Sequence, residues 1–203
     1  MDRERVCVTG IPVRAEFRSP CSAPRSSRAG RPRRLLMMGG GLGLMPTKDK
    51  FYEELNALPE VETTLICGHN QKLYERLVGQ YPHIEVLGYT NQVCAYMNRA
   101  DLMLTKPGGI TLFESIFSEL PLLAWEPFWE QERKNAHFIM ERNIGRVAPK
   151  EPMACLESIK ALIYDDGALD GMAARMREIK DRLNQTSSPQ IVASVVHASE
   201  VGV

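Results

Sequence analysis

Several features of secreted, metal-binding and membrane-spanning proteins are missing from this chain. Its five cysteines are scattered, without a Cys-x-x-Cys pair or a histidine at metal-ligand spacing, at positions 7, 21, 67, 94 and 155. Such a pattern favours reduced thiols in the cytosol. No apolar run is long enough to span a bilayer, and no apolar signal core follows the charged start. The sequence therefore predicts a cytoplasmic protein without a metal, at most peripheral to the inner face of the membrane.

An excess of charge of one sign is also absent. The 25 basic and 25 acidic side chains cancel, so the composition gives no reason to expect nucleic acid as a partner. The distribution is uneven, because seven arginines from Arg14 to Arg34 stand against one acid, Glu16, in a stretch rich in serine and proline. We interpret residues 1–32 as a solvated, partly disordered linker of the interdomain type, with contact to anionic lipid as the alternative.

Two fingerprints of nucleotide enzymes are missing as well. A dinucleotide site needs Gly-x-Gly-x-x-Gly after the first strand and an acid at the end of the second strand. Here Leu44 or Pro46 stands at the last glycine position, and the second predicted strand ends without a carboxylate. No Gly-Lys-Ser/Thr follows a glycine-rich turn. The sequence therefore argues against a nicotinamide enzyme and against a Walker-type nucleotide site.

What is present is a regular alternation of short apolar runs with longer amphipathic segments. It predicts strands near 34–39, 62–67, 84–87, 101–105, 121–125 and 145–148. Helices are predicted near 48–58, 70–80, 91–98, 110–119, 131–142, 154–164, 167–184 and 188–200. This pattern indicates an α/β fold over 33–203, a doubly wound, Rossmann-like parallel sheet in the order 3-2-1-4-5-6. Ligands of such sheets bind outside the carboxyl ends of the strands, where the order reverses.

Two glycine-rich turns follow the first and fourth predicted strands at this edge. Residues 39–43 read Gly-Gly-Gly-Leu-Gly, and residues 107–109 read Pro-Gly-Gly before a predicted helix. Free N–H groups and a positive helix end make such a turn a seat for phosphate. In that helix Thr111 can donate a hydroxyl hydrogen, and Glu114 can accept from a ribose diol. Each turn alone is equally compatible with an ordinary strand-to-helix connection, but two turns facing one ligand predict a sugar-nucleotide site.

Two other loops at the same edge supply further candidates. Tyr89 follows the third strand and can stack on a base, although such a ring more often belongs to the core or its rim. Gln131, Glu132 and Asn135 stand at a helix start after the fifth strand. Amide side chains both donate and accept hydrogen bonds, which suits sugar hydroxyls. A capped, solvated helix start is the alternative for this group.

These motifs resemble the C-terminal, nucleotide-sugar half of two-domain inverting glycosyltransferases of the GT-B fold, of the lipid-II N-acetylglucosaminyltransferase type. The resemblance rests on Gly88-Tyr89, on residues 101–114 and on Gln131-Glu132 with Asn135. Residues 67–70 and 106–111 are most similar to the glycolipid branch, the processive diacylglycerol glucosyltransferases and plant-type monogalactosyldiacylglycerol synthases. Residues 9–14 resemble the join between the halves of those enzymes.

The resemblance implies a UDP-sugar donor and transfer of its hexose to a lipid such as diacylglycerol, with inversion at the sugar. Tyr89 and the backbone of Thr90 would contact the uracil, and Glu114 would bind the ribose. Gln131 and Asn135 would face the sugar or its phosphate. The diphosphate would be held by small and hydroxyl residues of the two turns, namely Gly40, Gly41, Gly108, Gly109 and Thr111. No cofactor is implied, because helix ends and backbone N–H groups neutralise the leaving diphosphate.

One position departs from the pattern of these enzymes. They usually carry Pro-x-x-Gly-Gln-Glu, whereas Glu130 stands here at the position of the glycine. A carboxylate beside a diphosphate is repelled unless it points away, and the loss of glycine removes backbone freedom. Donor affinity and sugar choice are the properties that this change would affect.

In this family the N-terminal half carries the acceptor site, the membrane contact and the general base. The chain begins at the predicted linker, so we expect a fragment or a natural half that needs a partner subunit, inactive alone. We therefore assign no catalytic residue; the four histidines, at positions 69, 83, 137 and 197, are expected to be surface or structural. The face that the other half would cover favours self-association.

Two other functions fit the same residues. A UDP-sugar epimerase of the same two-domain architecture would use the same nucleotide site, and it would also need groups from a second half. A non-catalytic, nucleotide-sugar-binding remnant would fit the truncation and Glu130.

Overall fold

The computed structural model describes residues 11, 13–18, 28–125 and 129–183. Its centre is one parallel sheet of six strands in the order β3-β2-β1-β4-β5-β6. The strands are β1 (Arg33–Met38), β2 (Val61–Ile66), β3 (Ile84–Leu87), β4 (Leu102–Thr105), β5 (Leu122–Trp125) and β6 (Gly145–Ala148). The predicted fold class and strand order are confirmed, and every strand end lies within a residue of its predicted position.

Eight helices are described around this sheet. They are α1 (Ala15–Arg18), α2 (Asp49–Asn56), α3 (Gln71–Leu77), α4 (Val93–Arg99), α5 (Gly109–Phe117), α6 (Glu130–Glu141), α7 (Pro152–Ile163) and α8 (Asp166–Arg182). The sequence did not predict α1, and the helix predicted near 188–200 lies outside the described residues. Within the described ranges, no helix combines the length and the apolar character that a bilayer crossing requires.

The sheet is covered on both faces, which explains the continuous apolar runs of its central strands. All four residues of β4 and all four of β5 are buried, as expected for parallel strands between two helix layers. Successive side chains of a strand point to opposite faces. Leu35 accordingly packs in one core cluster with residues of α2, α3 and α7, and Leu36 packs in the other with residues of α1, α4 and α5.

An arginine–aspartate clasp joins the amino ends of β1 and β4. The two carboxylate oxygens of buried Asp101 each accept a hydrogen bond of 2.8 Å from the Arg31 guanidinium, and Oδ2 also accepts from the Arg34 backbone N–H. Burial raises the pKa of the Asp101 carboxyl, but the bonds from Arg31 and Arg34 and the charges of Arg31 and Arg28 outweigh it and hold the pKa below its ordinary value. Arg31, at the end of the predicted linker, is thereby tied to the sheet.

Replacing Asp101 by asparagine should lower the free energy of unfolding at neutral pH by about 2 kcal/mol, because two charge-assisted hydrogen bonds lose their charge. Because folding lowers the pKa of Asp101, its contribution to the free energy of unfolding is complete above the pKa of the unfolded chain, about 4. The contribution is lost as the pH falls from there through the lower pKa of the folded protein. Urea unfolding of both proteins at pH 7 and pH 3 measures this difference.

The matched control is Glu62→Gln, which removes an exposed carboxylate 3.8 Å from Arg34 Nε. An exposed pair of this kind contributes about 0 to 1 kcal/mol. The clasp would be contradicted if Asp101→Asn destabilised the protein no more than this control, or by the same amount at both pH values.

Candidate functional site

The two glycine-rich turns lie side by side at the carboxyl edge of the sheet. One follows β1 and the other follows β4, and these strands pair with each other in parallel. The strand order reverses at this pair, since β1 continues to β2 on one side and β4 to β5 on the other. The turns are close enough that a Cβ built on Gly40 would lie 2.9 Å from Lys106 Cε. The site therefore stands where doubly wound sheets bind their ligands.

The turn after β1 is anchored on one side and open on the other. Its bonds run from Gly43 N–H to the Gly40 carbonyl and from Leu44 N–H to the Gly39 carbonyl, at 3.0 and 3.2 Å. Gly43 has a φ of 57°, and a Cβ there would overlap the Cys67 carbonyl oxygen. At Gly41, by contrast, a Cβ would meet nothing within 4 Å. The turn thus presents backbone to open space at the position predicted to face phosphate.

The turn after β4 opens helix α5. The Leu112 N–H donates to the Gly108 carbonyl at 2.9 Å, so the N–H groups of residues 109–111 precede the first intrahelical bond. From α6, the Asn135 side-chain N–H donates to the Pro107 carbonyl at 2.8 Å. The geometry therefore brings Gly108, Gly109 and Asn135 together. It also shows that the Asn135 nitrogen braces this loop, a contact that the sequence does not predict.

Glu114 is buried and already has a cationic partner. Its side chain is only 4% exposed, and its Oε1 accepts a hydrogen bond of 2.9 Å from Arg14 Nε. Burial lowers the pKa of the Arg14 guanidinium, but its hydrogen bond and Coulomb attraction to Glu114 outweigh this effect, so the pKa is raised. The sequence does not predict this pair. A sequence signal for this pair is the position of Arg14 at the end of residues 9–14, the segment that resembles an interdomain join.

An aromatic pair lies on the neighbouring loops. The exposed ring of Tyr89 stacks on His69, with ring centroids 4.9 Å apart and planes at 19°. The His69 backbone N–H donates to the Gly41 carbonyl at 3.0 Å, which connects this pair to the turn after β1. The Thr90 hydroxyl accepts from the Gln92 N–H at 3.1 Å and fixes the loop after Tyr89. Tyr89 and Thr90 therefore reach the same edge as the glycine-rich turns.

The start of α6 completes the edge. Gln131 is exposed there and Thr111, on α5, is half-buried. Glu130, the departure from the expected glycine, begins α6 with an exposed side chain. Glu132 is buried, and its Oε1 lies 3.1 Å from Lys106 Nζ. The sequence alone assigns Lys106 no role, although the residue lies within the motif that carries the resemblance.

Exposed apolar side chains surround this edge of the sheet. Leu42 follows β1, Tyr89 follows β3, Ile110 lies at the start of α5 and Trp129 directly precedes α6, all with more than half of their surface exposed. A monomeric protein rarely exposes a large contiguous apolar patch without a binding role. Self-association through this surface stays a prediction.

We assign no catalytic base within the described residues. His69, His83 and His137 are exposed, and His197 lies outside the described residues. Across the described ranges, no cluster of three or more His, Cys, Asp or Glu side chains is placed to hold a metal ion. The chemistry of the site consists of backbone N–H groups, two carboxylate–cation pairs and an aromatic platform.

Comparison with known proteins identifies the relatives of this chain, although no protein-family model matches it. It is 32% identical over 182 residues to the processive diacylglycerol beta-glucosyltransferase of Staphylococcus carnosus (strain TM300), covering 85% of this chain and 46% of the relative. It is 29% identical over 204 residues to the protein of that name from Bacillus subtilis (strain 168), covering 97% of this chain and 52% of the relative. The chain thus spans about half the length of the curated relatives it matches.

Among solved structures, MurG from Acinetobacter baumannii superposes with a TM-score of 0.67 at 18% identity, covering 86% of this chain and 55% of that chain. The parallel sheet and this likeness identify the fold class, that of the GT-B glycosyltransferases. Within that class, the chain belongs to the family of the processive diacylglycerol beta-glucosyltransferases. The family assignment predicted from the sequence is confirmed.

Proposed function

We propose that this chain is the donor-binding half of an inverting glycosyltransferase that transfers a hexose from a UDP-sugar to a lipid. The observation that carries the proposal is the convergence of two glycine-rich turns, a buried carboxylate and an aromatic ring at one edge of the sheet. The chain covers about half of its relatives, so we expect turnover only when an N-terminal half or a partner subunit supplies the acceptor site.

The diphosphate is assigned to the gap between the turns. The N–H groups of residues 109–111 precede the first intrahelical bond of α5, and in the neighbouring turn the backbone at Gly41 is open. Backbone N–H groups at a helix start, together with a glycine nest, attract phosphate oxygens. The Thr111 hydroxyl is the added donor, and Gln131 at the start of α6 is assigned to the sugar.

The nucleoside is assigned to Glu114 and Tyr89. Arg14 occupies Oε1 of Glu114, so Oε2 is the acceptor that we assign to a ribose hydroxyl. One face of the Tyr89 ring lies against His69, and the opposite face is the one that we assign to the uracil. The Thr90 backbone, next to this ring, would hydrogen-bond the edge of the base.

The reaction that fits this donor is a single in-line displacement. The acceptor hydroxyl oxygen forms a bond to the anomeric carbon while the bond from that carbon to the diphosphate oxygen breaks. The electron pair of that bond leaves with UDP, where helix N–H groups stabilise the new charge. The hydroxyl proton passes to a base on the other half of the enzyme. Attack from the face opposite the diphosphate inverts the sugar.

The acceptor is assigned from the relatives alone. Their name describes processive glucosylation of diacylglycerol, so a diacylglycerol-like lipid is the acceptor that we propose, reached at the cytoplasmic face of a membrane. A lipid of this kind would require peripheral membrane contact through the partner half.

Calorimetric titration of the purified chain with UDP tests the donor site, with GDP and NAD as controls. Selective binding of UDP is expected. A folded protein that binds none of the three would overturn the proposal and favour a non-catalytic remnant.

Transfer is tested by adding the N-terminal half of a relative and following labelled sugar from UDP-glucose into lipid. Conversion of the sugar without transfer to lipid would favour an epimerase.

Replacing Tyr89 by alanine should weaken UDP binding about fivefold, because a stacked aromatic pair contributes about 1 kcal/mol. Tyr89→Phe keeps the ring and is the matched control, expected to bind like the unaltered protein. The ring is exposed, so neither change should shift the melting temperature. Equal UDP affinity for the alanine and phenylalanine variants in calorimetry would remove Tyr89 from the base site.

A further inference from the structure

Lys106 stands at the meeting point of three chain segments. It follows β4, its aliphatic stem passes over Gly40 in the turn after β1, and its ammonium contacts the first turn of α6. Gly40 has a φ of 69°, a conformation that favours glycine, and a Cβ there would also come within 2.9 Å of Lys106 Cε. The ammonium is thereby held at the edge of the gap between the two glycine-rich turns.

The partner of Lys106 is a carboxylate with a second source of stabilisation. Glu132 Oε1 lies 3.1 Å from Lys106 Nζ, and the Glu132 side chain is 9% exposed against 29% for that of Lys106. Glu132 also lies in the first turn of α6, where the helix dipole favours a negative charge. The carboxylate therefore keeps electrostatic support when the lysine turns toward another anion.

We propose that Lys106 is a diphosphate-binding cation of the donor site, neutralised by Glu132 in the free protein and shared with the donor when it binds. This inference rests on the proposed function. Backbone N–H groups carry only partial charges, whereas a lysine ammonium adds a full positive charge and three donors on a flexible stem. It would also stabilise the charge that develops on the leaving diphosphate.

The geometry gives this cation a short path. Lys106 precedes Gly108 and Gly109 on the same loop, and its side chain lies over Gly40 in the other glycine-rich turn, so it lies beside the gap that we assign to the diphosphate. The Lys106 side chain is partly exposed, and its stem can pivot over Gly40 without crossing a side chain there. A lysine that only fixed the loop to α6 would not need to lie over the turn that follows β1.

The first test compares Lys106→Met with the unaltered protein in calorimetric titrations with UDP and with uridine. Methionine keeps an apolar stem over Gly40 and removes the charge. UDP affinity should fall at least tenfold, while uridine affinity stays unchanged because uridine has no phosphate. Lys106→Arg should restore most of the UDP affinity. The matched control is Lys160→Met, which breaks a pair of similar length with Glu157 on α7.

The second test uses Glu132→Gln, for which the inference and a purely structural role of the pair predict different changes in UDP affinity. Removing the carboxylate frees the ammonium, so UDP affinity should rise about threefold or more. UDP carries no hexose, so contacts of Glu132 to a hexose do not affect this measurement. A merely structural pair would lower the melting temperature in both variants and leave the ratio of UDP to uridine affinity unchanged, which would overturn the inference.

Binding measurements distinguish a failure of the proposed function from a failure of the role assigned to Lys106. If the folded, unaltered chain binds no UDP, the proposed function is overturned and this inference with it. If the unaltered chain binds UDP and Lys106→Met binds it equally well, only the role of Lys106 is overturned. Circular dichroism of each variant confirms that the sheet has formed before titration.

Discussion

Gly43→Ala is expected to lower the free energy of unfolding by about 3 kcal/mol or more. Gly43 has a φ of 57°, a conformation that costs a residue with a side chain about 1 kcal/mol or more. The added Cβ would also overlap the Cys67 carbonyl oxygen and lie 2.7 Å from Asn70 Cβ. Neither group can retreat easily, because the Asn70 side chain caps α3 through the Leu73 N–H and donates to the Gly43 carbonyl. Urea and thermal unfolding measure the loss.

Gly41→Ala is the matched control for this prediction. It lies two residues earlier in the same turn, and its Cβ would meet nothing within 4 Å, so stability should change by about 0.5 kcal/mol or less. Under the proposed function, however, the new methyl group enters the space assigned to the diphosphate and should weaken UDP binding. Equal stability losses at positions 41 and 43 would show that the backbone contact with the loop after β2 does not anchor the turn.

Replacing Glu114 by glutamine is expected to reduce UDP affinity by about 1.5 to 3 kcal/mol, roughly 10- to 150-fold, the range for a hydrogen bond to a charged group. The variant loses the carboxylate that we assign to a ribose hydroxyl, and of the two carboxylates paired with Arg14 it leaves Glu16, at 3.3 Å. The loss should depend on the ribose. The unaltered protein should prefer UDP over the analogues that lack one ribose hydroxyl, and the variant should show a smaller preference. Calorimetry with these ligands measures it.

The matched control is Glu119→Gln, directly beyond the other end of α5. Glu119 is also ion-paired, with Arg177 at 2.8 Å and Lys180 at 3.1 Å, but it lies away from the glycine-rich turns. UDP affinity should not change in this variant. If Glu114→Gln lost as much affinity for pyrophosphate as for UDP, relative to the unaltered protein, the effect would be a general collapse of the loop, and the assignment of Glu114 to the ribose would be wrong.

The fold could be predicted from the sequence because its signals are local. Parallel strands between two helix layers read as short apolar runs, and β4 and β5 are buried at every position. The four-residue helix α1 was missed for the same reason. So short a segment has little helical stability of its own, and its buried Phe17 packs against the core that the rest of the chain builds.

The site was predicted only in outline. Topology placed the loops after β1 and β4 at one edge, but it could not specify which side chains pair there. Arg14 and Glu114 are 100 positions apart, and Lys106 and Glu132 are 26 apart, so no spacing rule relates them. Asn135 was assigned to the sugar from its chemistry, and its nitrogen contacts the Pro107 carbonyl. Such contacts follow from tertiary placement, to which local sequence patterns are insensitive.

The clasp at Asp101 and the loops of the candidate site lie at opposite ends of the same strand. Asp101 precedes β4 and Lys106 follows it, so five residue steps of about 3.3 Å set them about 16 Å apart. Changes at sites this far apart, without shared partners, usually act additively. Loops of relatives with other sugar preferences can therefore be exchanged at the carboxyl edge while the clasp preserves the scaffold, which makes this domain a favourable starting point for chimaeric enzymes.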